Sequence, residues 1–124
     1  FGHSNHPFRA LLKSGVNVCL GTDGLGSNKD LSILNEMNFI RKNHRDLSPN
    51  QIFKMGTING ARTIGLADKI GALKAGYAAD IAVFPINNGK QLKNPYDALT
   101  YLIEKTPQSI FTMVNGTTVF NNNK

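Results

Sequence analysis

The chain has 124 residues, of which 40% are hydrophobic, so it is long enough for one domain with a buried core. Lysine and arginine number 14 against 8 acidic residues, a net charge of +6, but they are scattered, whereas a nucleic-acid surface needs clustered positive charge. No apolar run approaches the roughly 20 residues of a membrane span, and no signal-peptide pattern opens the chain, so we expect neither nucleic acid nor a membrane as a partner.

The first half of the sequence alternates between helical and strand patterns. Apolar spacing predicts a helix from Pro7 to Ser14, and the β-forming residues 16–20 predict a short strand. A second helix is predicted over residues 31–44, with Asp30 as its N-cap. This order is typical of an α/β protein with a parallel sheet. The single cysteine suits a reducing compartment, and we expect the cytoplasm.

Two further helices are predicted before the character of the sequence changes. Ser48, Pro49 and Gln51 stand where a capping box needs them, which predicts a helix start at this point. Residues 57–64 predict a second, short helix that stops at Gly65.

Strand patterns dominate after residue 66. A strand is predicted over residues 80–84, a short helix over 94–103 and a hairpin over 109–120. The hairpin turns at Asn115-Gly116, a favoured pair because both turn positions need positive φ. The sequence therefore divides into an α/β unit, residues 1–66, and a mostly β unit, residues 67–124.

Asp23 is the residue best placed to carry chemistry. It follows the predicted strand directly, in Leu-Gly-Thr-Asp-Gly at residues 20–24, and active sites of α/β barrels lie at the C-terminal ends of strands. A carboxylate there can bind a hard or borderline cation through oxygen or accept a proton from an attacking water. The alternative is a turn aspartate that hydrogen-bonds its own backbone, and the local pattern alone favours that alternative.

Two longer stretches change this balance. Residues 15–28, G-V-N-V-C-L-G-T-D-G-L-G-S-N, with L-x-x-L-x-E-M after them, resemble the last barrel strand of amidohydrolase-superfamily enzymes. Within this superfamily the stretch most resembles the chlorohydrolase or cytosine-deaminase-like group, which includes deaminases of adenosine-like and guanine-type substrates. Residues 57–66 and 70–81 resemble the return of the same family to its small β domain. The resemblance covers roughly residues 8–119.

The resemblance implies a specific fold and metal centre. Residues 1–66 would be the C-terminal part of a (β/α)₈ TIM barrel, and residues 67–124 part of a small β-sandwich domain. The family metal is zinc or iron, held by a His-x-His pair, two later histidines and an Asp after the last strand. Only Asp23 matches, as metal ligand and general base. The three histidines of the chain, His3, His6 and His44, match none of the ligand histidines.

Three residues near this end of the barrel are candidates for substrate binding. His3 would lie in the loop after the seventh strand, on the catalytic side, although a loop histidine is more often solvated or capping. Ser27 and Asn28 follow Asp23 and can line the pocket or orient Asp23. Capping of the next helix is the alternative for both, and the sequence leaves it open.

The function implied is hydrolysis of a C–N bond, most simply deamination of a purine- or pyrimidine-like small molecule in an intact, metal-dependent enzyme. Since the chain holds one family ligand, we expect it alone to be inactive and to bind zinc or iron only weakly. The alternative is a non-catalytic assembly or binding module with a vestigial resemblance. The strand over residues 16–20 would lack both barrel neighbours, so we expect a homo-oligomer or association with a missing N-terminal part.

Overall fold

The computed structural model describes residues 6–86 and 92–122, which form a mixed α/β chain with one three-stranded sheet. Residues 87–89, Asn-Asn-Gly, have the composition of a turn, and this predicted turn lies outside the described residues. No helix in the described ranges is long and apolar enough to cross a membrane. The elements in chain order are α1 (Phe8–Lys13), α2 (Ile33–Asn43), α3 (Pro49–Met55), α4 (Ile58–Thr63), β1 (Ile81–Val83), α5 (Pro95–Lys105), β2 (Phe111–Val114) and β3 (Thr117–Asn121).

Local capping signals place most helix starts correctly. Ser48 forms the predicted capping box: its hydroxyl accepts from the Gln51 amide, and its own amide donates to Gln51 Oε1 at 2.9 Å. Asn94 caps α5, where its side-chain oxygen accepts from the backbone N–H of Asp97 at 3.0 Å. Each cap satisfies a backbone donor that the first helical turn leaves without a partner.

The start of α2 differs from the prediction. Ser32, not Asp30, is the N-cap, and its hydroxyl accepts from the Asn35 amide at 3.2 Å. The Asp30 carboxylate instead accepts from the backbone N–H of Ser32 at 2.8 Å and from the Asn35 side chain at 2.9 Å. Asp30 therefore braces the residue that caps the helix, and the predicted cap was wrong by two positions.

The core lies between α2, α3 and α5. Its buried cluster contains Met37, Leu47, Ile52 and Ile103, and Ile52 and Ile103 have no exposed surface. Ile103 belongs to α5, so residues on both sides of the predicted boundary at 66 share one core. The boundary itself stays a prediction.

The sheet is antiparallel in the order β1-β2-β3. The predicted hairpin is confirmed: Asn115 and Gly116 both have positive φ, 47° and 78°, as a two-residue turn requires. Asp80 Oδ1 accepts from the Asn115 amide at 2.7 Å, and the Ala79 carbonyl accepts from the Gly116 amide at 3.1 Å. The approach to β1 thus holds the hairpin turn in place.

The predicted strand over residues 16–20 was wrong for this chain. Among the described residues no strand pairs with it, and a strand is defined by such a ladder. Its ends are tied to helices instead. The Val16 amide donates to the Leu11 carbonyl, and the Leu20 amide donates to the Met55 carbonyl, both at 3.0 Å.

An exposed ion pair ties α1 to the chain after α2. Arg9 donates to both carboxylate oxygens of Asp46, at 2.8 and 2.6 Å, and these hydrogen bonds hold the pKa of Asp46 below its ordinary value of 3.8. The pair therefore stabilises the fold fully at pH values above 3.8, the ordinary pKa of the carboxyl group. This contribution is lost as pH falls through the lowered pKa of the folded state.

Gly71 is the glycine whose replacement tests close packing most sharply. A Cβ there would lie 2.8 Å from Ala61 Cβ and 3.0 Å from Ile58 Cα, and φ is +88°. Gly76 has almost the same φ, +86°, but nothing within 4 Å. Because the two share the backbone strain, we expect Gly71→Ala to lower the free energy of unfolding by about 1–3 kcal/mol more than Gly76→Ala. Urea denaturation measures both, and equal losses would contradict the close approach.

Candidate functional site

Asp23 directly follows residues 16–22, the tethered segment, which is held by hydrogen bonds to neighbouring helices. Its side chain is exposed, and its backbone conformation is unusual. Its φ is +54°, a left-handed region in which non-glycine residues are uncommon but Asp and Asn are tolerated. A turn follows, in which the amides of Ser27 and Asn28 both donate to the Gly24 carbonyl at 3.0 Å. The turn brings the side chains of residues 27 and 28 back toward Asp23.

The Ser27 hydroxyl orients the Asp23 carboxylate. Ser27 Oγ lies 2.7 Å from Asp23 Oδ2 and 3.1 Å from the Gly24 carbonyl. A hydroxyl has one proton to donate, and the shorter, charge-assisted contact is to the carboxylate. Ser27 does not cap α2, since Ser32 does. Its predicted contact with a substrate stays a prediction.

Asn28 ties the turn to α2. Its two side-chain protons go to the Thr22 carbonyl at 2.9 Å and to Glu36 Oε1 at 2.6 Å, and its side-chain oxygen accepts from the Lys29 amide at 2.8 Å. Every polar group of this amide is therefore engaged with the protein. Asn28 is not the cap of α2 either, and its predicted substrate contact also stays a prediction. The contact between the half-buried Glu36 and Asn28 was not predicted from the sequence.

A second polar cluster fixes the segment before Asp23 and was not foreseen from the sequence. The Asn59 side chain donates to the Val18 carbonyl at 2.9 Å. The Asn17 side chain lies 3.0 Å from both the Asn59 carbonyl and Thr63 Oγ1, and Thr63 Oγ1 is 3.5 Å from Cys19 Sγ. The stretch 57–66 was predicted as a short helix and as part of the family resemblance, but not as a partner of residues 17–19. Asn59 and Thr63 are four residues apart, so they lie on the same face of α4. This spacing was the signal in the sequence that could have indicated a polar contact surface.

The histidines contribute no ligand cluster in the described structure. His3 lies outside the described residues, so its predicted substrate contact stays a prediction. His6 is exposed. His44 ends α2, where its ring meets Phe8 edge-on at 4.8 Å between centroids and its Nδ1 lies 3.0 Å from Arg9 Nη2. These contacts are what a structural histidine makes.

The described residues fit part of a metal centre and not a whole one. No three His, Cys, Asp or Glu side chains in residues 6–86 and 92–122 come together as a metal site. Asp23 can supply one oxygen ligand: Ser27 holds Oδ2, and no described residue hydrogen-bonds to Oδ1. A carboxylate oxygen suits zinc or iron, but hydrolytic centres use at least three protein ligands.

The cavity between α2 and α5 is separate from these residues. It has a volume of about 210 Å³ and is lined by Asn38, Arg41, Lys42, Arg45, Glu104 and Lys105. Arg41 already pairs with Glu104, Nε to Oε1 at 3.3 Å. The basic residues stand at or just beyond the C-terminal ends of α2 and α5, where positive charge complements the helix dipole. The cavity thus adds nothing to the site around Asp23.

A family model and the curated relatives of this chain point to the same family. A family model described as the amidohydrolase family matches residues 4–119. The 5-methylthioadenosine/S-adenosylhomocysteine deaminase of Thermococcus onnurineus is 46% identical over 88 residues, 65% of this chain and 20% of that protein. The S-triazine hydrolase of Gordonia rubripertincta is 34% identical over 121 residues, 91% of this chain and 25% of that protein. The chain therefore spans a quarter or less of these curated relatives.

Solved structures agree with these matches. E. coli guanine deaminase superposes with a TM-score of 0.78 at 25% identity, covering 94% of this chain and 30% of that one. The atrazine chlorohydrolase of Arthrobacter aurescens, complexed with zinc, superposes with a TM-score of 0.76 at 27% identity, covering 94% of this chain and 28% of that one.

Proposed function

Because the chain belongs to the amidohydrolase family, we propose that it is part of a metal-dependent hydrolase that deaminates a purine- or pyrimidine-like ring. Asp23 carries this proposal: it ends a tethered segment, and Ser27 fixes one oxygen of its carboxylate while the other has no partner among the described residues. The names of the relatives, deaminases and ring hydrolases, support the reaction class.

We propose a matching placement in a larger fold. Residues 1–66 would supply the last strand and flanking helices of a (β/α)₈ barrel, and residues 67–124 part of a small β-sandwich. High structural similarity over nearly the whole chain, to proteins more than three times as long, supports this placement. Asp23 would then stand at the C-terminal end of a barrel strand, where barrel enzymes place catalytic residues.

The residues of this chain would bind and move a proton. A zinc or iron ion, when bound, lowers the pKa of a coordinated water toward about 7. Asp23 would supply one oxygen ligand to that ion and accept the proton of the attacking water, as general base. Ser27, by donating to Oδ2, would hold the carboxylate plane so that Oδ1 faces the reacting groups. Ser27, Asn28 and His3 remain candidates for contact with the small-molecule substrate.

We also propose that the chain acts together with further polypeptide in the cytoplasm. The segment 16–20 has no strand neighbour in the described structure, and apolar side chains around it are exposed: Val16 is 47% and Ile64 63% accessible. An unpaired segment with apolar flanks favours association. The occupant would be the N-terminal part of a longer enzyme or, failing that, a second copy. Without it the chain would lack turnover and tight metal binding.

Metal removal tests the proposed function. The protein would be produced as encoded, with any chain that precedes residue 1, and ammonia release measured from adenosine-like, guanine, cytosine and aminotriazine compounds. We expect release from at least one of them, a fall of about 100-fold or more after dialysis against a chelator, and recovery on adding zinc or iron. Ammonia release that the chelator leaves unchanged would refute metal dependence. Absence of release from every compound would favour the non-catalytic module.

A further inference from the structure

We propose that Asn59 is a positioning residue for Asp23: its side-chain amide fixes the backbone on which the catalytic carboxylate is carried. The inference rests on the proposed function and adds a residue to it. Asn59 lies in α4. Its contact, Val18, is 41 residues earlier in the chain and belongs to the segment that leads to Asp23.

The tether is direct and has support of its own. Asn59 Nδ2 donates to the Val18 carbonyl at 2.9 Å, in a half-buried position. The Asn59 carbonyl in turn accepts from the Thr63 hydroxyl and the Asn17 side chain, both at 3.0 Å. Asn59 therefore donates to the segment before Asp23, and Asn17 of that segment donates back to α4. The segment is held against α4 at two successive residues, 17 and 18.

The segment needs such tethers because it has no sheet to define it. Among the described residues no strand pairs with residues 16–22. Hydrogen bonds at three alternate residues fix its position. The carbonyls of Val18 and Thr22 accept from the side chains of Asn59 and Asn28. The amide of Leu20 donates to the Met55 carbonyl. Asp23 follows directly, at φ +54°, so the position of its carboxylate depends on the path that these contacts give the segment.

A loosened tether should therefore act on the chemistry more than on substrate affinity. Without the Asn59 amide, the Val18 carbonyl loses its side-chain donor and the carboxylate can drift. A misplacement near 1 Å costs about 100-fold in rate when reacting groups must be aligned. Substrate contacts made elsewhere in the protein would be unaffected, so KM should change little. Retention of the metal should fall, because one ligand is no longer held in place.

Asn38 offers a matched control. It too is a half-buried helical asparagine, and its Nδ2 donates to the Ile103 carbonyl at 2.8 Å. Asn38→Ala and Asn59→Ala thus remove the same kind of bond between a side chain and a distant backbone. Only Asn59 touches the segment that leads to Asp23.

Both variants would be compared in the protein as encoded, by melting temperature, kcat and KM, and zinc retained against a competing chelator. We expect similar falls in melting temperature. Asn59→Ala should lower kcat about 10- to 100-fold and zinc retention about tenfold, with KM within about threefold, whereas Asn38→Ala leaves all three within about twofold. If Asn59→Ala gives too little folded protein, Asn59→Asp and Asn38→Asp replace the pair in the same assays.

The outcomes separate the two proposals. Equal kcat and zinc retention in the Asn59 and Asn38 variants, while Asp23→Asn strongly lowers both, would overturn the positioning role and leave the proposed function standing. If Asp23→Asn itself leaves turnover and zinc retention unchanged, the proposed function fails and the role of Asn59 falls with it.

Discussion

Turnover is expected to fall about 10³-fold when Asp23 is replaced by asparagine in the protein as encoded, since loss of a general base costs about 10²- to 10⁴-fold. The metal content of the purified protein should fall as well, because an amide oxygen is a weaker ligand than a carboxylate. Asparagine suits this test because it keeps the shape of the side chain and tolerates the observed φ of +54°. Steady-state kinetics and elemental analysis of the metal measure the two effects.

Asp68→Asn provides the control for the Asp23 variant. Asp68 is an exposed aspartate in the connection between α4 and β1, so the substitution makes the same change in net charge away from the turn at residues 23–28. We expect normal turnover and metal content from it. Equal activity in the two variants would remove Asp23 from the chemistry and, with it, the basis of the proposed function.

The sequence could single out Asp23 as a candidate and offer Ser27 as a residue that orients it, but it could not give the geometry of these contacts. Its place in one family-like stretch, with a second such stretch downstream at residues 57–81, was enough to favour a metal ligand over an ordinary turn residue. The contact of Ser27 with Oδ2 depends on the turn closing at Gly24, and the bond of Asn28 to Glu36 depends on how α2 leaves that turn. Such contacts follow from the path of the backbone, which residue patterns specify only loosely.

Elements with local signals were predicted well for the same physical reason. The capping box at Ser48, the helix start at residues 94–95 and the Asn115-Gly116 turn each depend on residues within a few positions of one another. The strand over residues 16–20 failed because a strand needs partners from elsewhere. Two competing caps lay within three residues at the start of α2, and the backbone at Ser32, φ −89° and ψ 107°, made the serine the cap.

The core was the other feature beyond the reach of local patterns. The sequence pattern assigned the helix 94–103 to the mostly β unit. In the structure this helix is α5, and its Ile103 is fully buried against α2 and α3. Asn38 of α2 also donates to the Ile103 carbonyl at 2.8 Å. The helix therefore joins the two predicted units, and the stability of the first unit should depend on a residue of the second.

This dependence leads to a prediction about Ile103. Replacing it with alanine is expected to lower the free energy of unfolding of the 124-residue chain by about 2–5 kcal/mol, through lost apolar burial and the cavity left behind. A loss of this size is a large fraction of the total stability of a small domain, about 5–15 kcal/mol. Urea denaturation followed by circular dichroism gives the value from the shift in midpoint at constant slope.

Ile64→Ala makes the same change at the surface. Ile64 is 63% exposed, whereas Ile103 is 0% exposed, so its replacement should cost less than about 0.5 kcal/mol. A small loss at Ile103, equal to that at Ile64, would show that α5 does not stabilise α2 and α3. A single transition with a large loss at Ile103 would show that the helices before residue 66 and the helix after it unfold as one unit, because a separately folded β unit would leave the earlier helices unaffected.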